Sequence, residues 1–138
     1  MENCKLIFER PHKQVFTDGT KVYKVFDETF PESNVFNEAL NQIRAQETGL
    51  NVPKVHEVTM IDGKWTIVMD YVPGKTLEQL AAEHPEKTDE YIDKMVEIQM
   101  EIHSKRAPHL NRLREKMHNA ISSLKIDPSI RYELHSRL

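Results

Sequence analysis

The side chain best placed for chemistry is Lys24, in the stretch GTKVYKVFDE from Gly19 to Glu28. Read as a strand, the stretch has a period of two. Val22, Lys24 and Phe26 then share one face, and Lys21, Tyr23 and Val25 the other. Lys24 is bracketed by apolar neighbours on its own side. Such an ammonium either snorkels to water or meets a carboxylate or other anion, because an unpaired buried charge is too costly to keep. Other reactive residue types are dispersed. The seven histidines form neither H-x-x-x-H nor HExxH on a helix, so solvated histidines are expected rather than metal ligands. His109 and Glu115 share a helical stretch but have no third ligand, and Ser122-Ser123 belongs to no nucleophile motif. Cys4 is the single cysteine, which excludes an internal disulfide and CxxC metal spacings and makes a reducing, cytoplasmic setting the expectation.

The elements that must position Lys24 are readable from pattern. The segment KLIFE alternates and ends before Pro11, as a strand running into a turn does. QVFT and TKVYKVF flank Asp18-Gly19, and KVHEVTMI and KWTIVMDY flank Asp62-Gly63; both pairs predict tight hairpins. Five strands in a mostly antiparallel sheet follow. Between the hairpins, Pro31 and Ser33 suit a helix start, and Gly49 with Pro53 beyond suits a left-handed stop. Val35, Phe36, Ala39, Leu40 and Ile43 fill one arc of that helix roughly 140° wide, which predicts packing on the sheet. After Tyr71 the pattern is helical: Thr76 caps a short helix reaching about Glu83, and TDEYIDKMVEIQMEIHSK is a longer one. LNRLREKMHNAISSL and SIRYELHSRL are two more amphipathic runs, the last opened by Asp127-Pro128. Met95, Met100 and Met117 are expected in core packing, and Trp65 as a packed sheet residue.

Bulk properties fit this plan. A chain of 138 residues is one ordinary domain in length, and 30% charged with 38% hydrophobic residues is a soluble composition. No window reaches the roughly 18 apolar residues of a membrane span, and MENCKLIFER lacks a secretory signal. A net charge of -3 with interspersed signs gives no reason to expect nucleic acid. The locally basic KRAPHLNRLREK is diluted by Glu115 and acidic flanks, so a solvated helix face is expected there.

The segments VYKVF, NEALNQIRAQETGLNVPKV, GKWTIVMDYVPGKTL and EIHSKRAPHLNRLREKMHNAI give the chain a resemblance to a known family. It resembles the aminoglycoside phosphotransferase and choline kinase branch of the protein-kinase-like fold, across essentially its whole length. The resemblance implies an α+β chain. Residues 1–70 form the small lobe, a five-stranded antiparallel sheet with one helix; residues 71–138 form a hinge and the first helices of an incomplete large lobe. It implies a kinase-type phosphotransferase that uses ATP and Mg²⁺ and passes a phosphoryl group to a small hydroxylated molecule. Lys24 is then the lysine that grips phosphates and Glu38 the glutamate that holds it, while Met69, Asp70 and Val72 lie where the hinge meets adenine. The helical wheel permits Glu38 an inward role without selecting it, and Glu47, inside the apolar arc, is a rival.

Two departures from the family pattern stand out. The first turn, ERPHKQ, has no glycine, and Pro11 removes a backbone donor; His12 and Lys13 can supply charge instead, or form an ordinary polar turn. No histidine is followed two residues on by aspartate, so the family's catalytic loop and its metal-binding aspartate are not found in residues 1–138, and no catalytic or metal residue is assigned. The expectation is an N-terminal portion of a kinase, with a nucleotide-binding or self-associating pseudokinase-like module as the alternative. The apolar stripe between Tyr91 and Ile102 is expected to drive homodimer formation.

Overall fold

The computed structural model describes residues 4–110 and 112–138. Met1 to Asn3, part of the N-terminal segment assessed for a signal, and Asn111, inside the predicted helical run from Leu110, lie outside the described residues. The chain divides into two compact units, one up to Ala107 and one from Pro108 to Leu138.

In the first unit, β1 (Lys5–Arg10), β2 (Lys13–Thr17) and β3 (Lys21–Phe26) precede helix α1 (Glu32–Glu47), and β4 (Val55–Ile61) and β5 (Lys64–Asp70) follow it. The sheet order is β1-β2-β3-β5-β4, with every pairing antiparallel. The two Asp-Gly hairpins are built differently. Asp62 and Gly63 take φ of 50° and 76°, the positive pair that a two-residue hairpin loop with the right twist requires. The first loop has a third residue, Thr20, and its closure falls to the Asp18 carboxylate. That group accepts hydrogen bonds from the N–H of Thr20 (2.8 Å) and Lys21 (2.7 Å) and from the Tyr23 hydroxyl (2.7 Å). These bonds, the Lys21 backbone bond foremost, hold the Asp18 carboxyl well below the usual carboxylate range.

Register decides which side chains share a face. Val15 lies opposite Lys24, which lies opposite Ile67; Lys13 lies opposite Phe26, and Val22 opposite Met69. Directly paired residues point the same way, so Lys13, Val15, Val22, Lys24, Phe26, Ile67 and Met69 occupy one face. Helix α1 covers that face through Val35 and Ala39, which are buried with Phe26, Ile67 and Met69 in the core. The helix begins after Pro31, whose carbonyl accepts from Asn34 and Val35, and it stops at Gly49 with φ 79°.

The rest of the predicted apolar arc is not covered. Leu40 and Ile43 are exposed; Phe36 is exposed too, and meets Trp65 edge-on at 5.1 Å. One helix touches a sheet along a line of residues, and an arc that wide overhangs the contact. After the sheet come α2 (Leu77–Glu83), a 3₁₀ turn (Pro85–Lys87) and α3 (Thr88–Ser104). Thr76 caps α2 in a reciprocal capping box with Gln79. Helix α3 buries none of its residues, and Met95 and Met100, expected in a core, are exposed. Among the described helices none is long and apolar enough to cross a membrane.

The second unit is a helix pair, α4 (Leu113–Ser123) and α5 (Pro128–Ser136). The Asp127 side chain caps α5 by accepting from the Ser129 N–H at 2.8 Å. His118 and His135 bring their Nδ1 atoms within 2.7 Å across the pair, and the Arg131 guanidinium donates to the Leu124 carbonyl at 2.7 Å. Met117 is exposed here as well.

Candidate functional site

Strand β3 delivers Lys24 to the helix-covered face, and Glu38, one turn after the buried Val35, comes down to meet it. The Lys24 Nζ donates to Glu38 Oε1 at 2.6 Å. Glu47 stands nine residues further along α1, roughly 13 Å along the axis, beside Ile43, Lys54 and Val55 at the far end of the helix. Axial position, not the angle around the wheel, separates the two acids.

A second ammonium reaches the same carboxylate. Lys13, the first residue of β2, donates to Glu38 Oε2 at 3.1 Å and more weakly toward Oε1 at 3.5 Å. Its Nζ also lies 5.5 and 5.7 Å from the ring centres of Phe26 and Phe30, which stack on each other at 4.9 Å. The side chains of Lys24, Lys13 and Glu38 keep only 22%, 26% and 29% of their exposure. Burial alone pushes the Glu38 carboxyl up; the hydrogen bond and charge of Lys24, then those of Lys13, outweigh it and hold the group below its ordinary value.

The turn joining β1 to β2 is fixed at its tip. His12 takes φ 67°, and its Nδ1 lies 3.0 Å from the Asp27 carboxylate and 3.1 Å from the Thr29 hydroxyl. The Asp27 N–H donates back to the His12 carbonyl at 3.0 Å. His12 is thereby committed to the end of β3. A cleft of about 260 Å³ opens beside this turn, lined by acidic (Glu9, Asp27) and basic (Arg10, Lys13, Lys64) residues; its strand residues Gln14 and Val25 belong to the face away from Lys24.

The residues expected at the hinge separate into three kinds. Met69 is buried in the core, its sulfur accepting a long contact from Gln42 Nε2 at 3.5 Å. Asp70 is occupied throughout: its N–H donates to the Lys54 carbonyl, and its carboxylate meets His56 Nε2 at 2.7 Å and the Lys54 N–H at 3.1 Å. The His56 contact, then the Lys54 bond, hold the Asp70 carboxyl below its usual range. The Tyr71 N–H is spent on the Thr20 carbonyl. Val72, 67% exposed, offers the first backbone N–H of this segment without a partner among the described residues.

Lys13 is the member of the site whose position the sequence analysis left open, as a charge in a polar turn. Its signal was the period of β2: counting back from the Asp18-Gly19 loop, Lys13 falls on the same face as Val15 and hence as Lys24. Among the described residues no group of three histidine, cysteine or acidic side chains forms a metal cage.

A kinase-like small lobe with a lysine and a glutamate paired inside it matches, by sequence, the phosphotransferase enzyme family over residues 15–123. The chain belongs to that family. Lys24, Glu38, Met69, Asp70 and Val72 all fall within the matched span, and Lys13 lies just before it. Among curated proteins, none matches this chain.

Glu38→Gln leaves two half-buried ammoniums sharing a neutral amide. Its expected cost is about 1–3 kcal/mol near neutral pH, read by urea unfolding. Because the folded-state value of Glu38 is depressed, its contribution is complete above the ordinary glutamate range of about 4.3 and is lost as pH falls below it. The gap between wild type and Glu38→Gln should therefore close on acidification.

Proposed function

We propose that the Lys24–Glu38 pair holds the phosphates of ATP in a kinase that phosphorylates the hydroxyl of a small molecule. The observation that carries this is the 2.6 Å ion pair on the covered face of the sheet, in a chain of the phosphotransferase family. The site's own charge fits a polyphosphate: two ammoniums against one carboxylate leave a positive surplus. ATP supplies the γ-phosphoryl group to be transferred. Glu38 fixes the direction of the Lys24 side chain, so that its remaining N–H donors are free for phosphate oxygens. Val72 presents its N–H to the adenine edge, while Met69 forms part of the wall beneath the base and Asp70 pins β4 to β5 so that the hinge is held in place. Residues 1–138 contain no histidine–x–aspartate loop to serve as base, and the described residues offer no cage for Mg²⁺. The part assigned to them is nucleotide capture, in a cytoplasmic setting consistent with the single cysteine.

Thermal unfolding with nucleotide tests this directly. ATP at about 100 times its dissociation constant should stabilise the chain by ~2.7 kcal/mol, and Lys24→Ala should remove most of that gain. An identical response in Lys24→Ala would take Lys24 out of the site.

The exposed apolar side of α3 favours a second property, self-association. Ile92, Met95, Val96 and Met100 lie open on a helix that buries none of its residues, and a face of this kind drives association between copies. Sedimentation velocity should show a dimer growing in across micromolar concentrations, and Met95→Glu should return it to monomer; a wild-type chain that stays monomeric throughout contradicts it.

A further inference from the structure

Glycine-rich turns bring backbone N–H groups to phosphate oxygens, and the β1–β2 turn here has no glycine and fewer such donors to offer. Pro11 has no N–H, and the His12 imidazole is engaged by Asp27 and Thr29. The next residue, Lys13, is placed quite unlike an ordinary turn lysine. Its ammonium is directed to the helix-covered face, bonded to the same carboxylate as Lys24, and set against the stacked rings of Phe26 and Phe30. Among the described residues neither lysine has a second acidic partner, so one positive charge is left over in a site about three-quarters buried. The two rings attract the ammonium without neutralising its charge, so it remains short of a counter-anion. The Lys13 side chain keeps 26% of its exposure, which leaves it open to an anion arriving from solvent.

We propose that Lys13 is a second polyphosphate-binding ammonium, which grips a nucleoside triphosphate together with Lys24 and replaces the backbone donors of a glycine-rich turn. This rests on the nucleotide reading given above and adds a residue to it. Glu38 acts as the common holder: it keeps both ammoniums on one face before the anion arrives, so neither long side chain must be ordered anew on binding. The affinity contributed by Lys13 should grow with the number of phosphates and fall with added salt.

The test is calorimetric titration of the full chain with AMP, ADP, ATP and inorganic triphosphate, using wild type, Lys13→Gln, Lys13→Met and Lys13→Arg. Expected is a loss of roughly ten- to a hundredfold in affinity for ATP and triphosphate in the two neutral variants, little change for AMP, and substantial recovery in Lys13→Arg. An ATP-to-AMP affinity ratio that stays at the wild-type value in Lys13→Gln overturns the role of Lys13 while leaving Lys24 and the nucleotide reading intact. Equal weakening of AMP and ATP, or loss of the fold in both neutral variants, makes Lys13 a strut between β2 and α1 and also overturns it. Wild type that binds none of the four ligands removes the nucleotide reading and this proposal together.

Discussion

One carboxylate, that of Glu38, has to satisfy two ammoniums in a half-buried site, and much of the first unit is arranged so that it can. Lys24 and Lys13 come from adjacent antiparallel strands, and their distances to Glu38 of 2.6 and 3.1 Å require the β2–β3 register to be right to the residue. A slip of one residue would put the two lysines on opposite faces of the sheet. The Asp18 loop sets that register by hydrogen bonds to the strand that follows it. The helix must also be set along its axis, and Val35 and Ala39 do this by sinking between Phe26, Ile67 and Met69. Apolar packing thus places the charges, and the charges add direction to the lysine side chains.

The same division of labour appears at the far end of β5. Asp70 spends its backbone N–H and both carboxylate oxygens on Lys54, just before β4, and on His56 of β4, and Tyr71 spends its N–H on Thr20. These bonds close the sheet just where the chain leaves it. On the proposed nucleotide reading, what is left for recognition is backbone beyond the last satisfied residue, at Val72. Rigid attachment followed by an unengaged N–H is a suitable construction for reading a planar ligand edge, since the reading group carries little conformational freedom of its own.

Much of the fold was legible because its signals are local. Two Asp-Gly turns, alternation in five strands, Gly49 after a helical run, and caps at Thr76 and Asp127 all act within a few residues, and each element formed where they placed it. Lys24 was legible for the same reason, since strand period alone sets its face. Glu38 against Glu47 was not, because a helical wheel gives an angle and says nothing about distance along the axis. The inward aim of Lys13 needed the strand register as well as the period. Exposure of Leu40, Ile43, Met95 and Met100 was hidden too: apolar character shows which face can be buried, and only tertiary packing decides whether anything covers it.

The shared carboxylate can be observed on its own. Carbon-13 NMR of the Glu38 side-chain carboxyl, followed through acid pH in wild type and in the Lys13→Met and Lys24→Met variants, measures the pull of each ammonium separately. Two lysines acting on one acid predict a wild-type midpoint below the ordinary glutamate value, rising in each variant and rising more when Lys24 is removed. An ordinary midpoint in wild type, unmoved by either substitution, would contradict the arrangement on which the site depends.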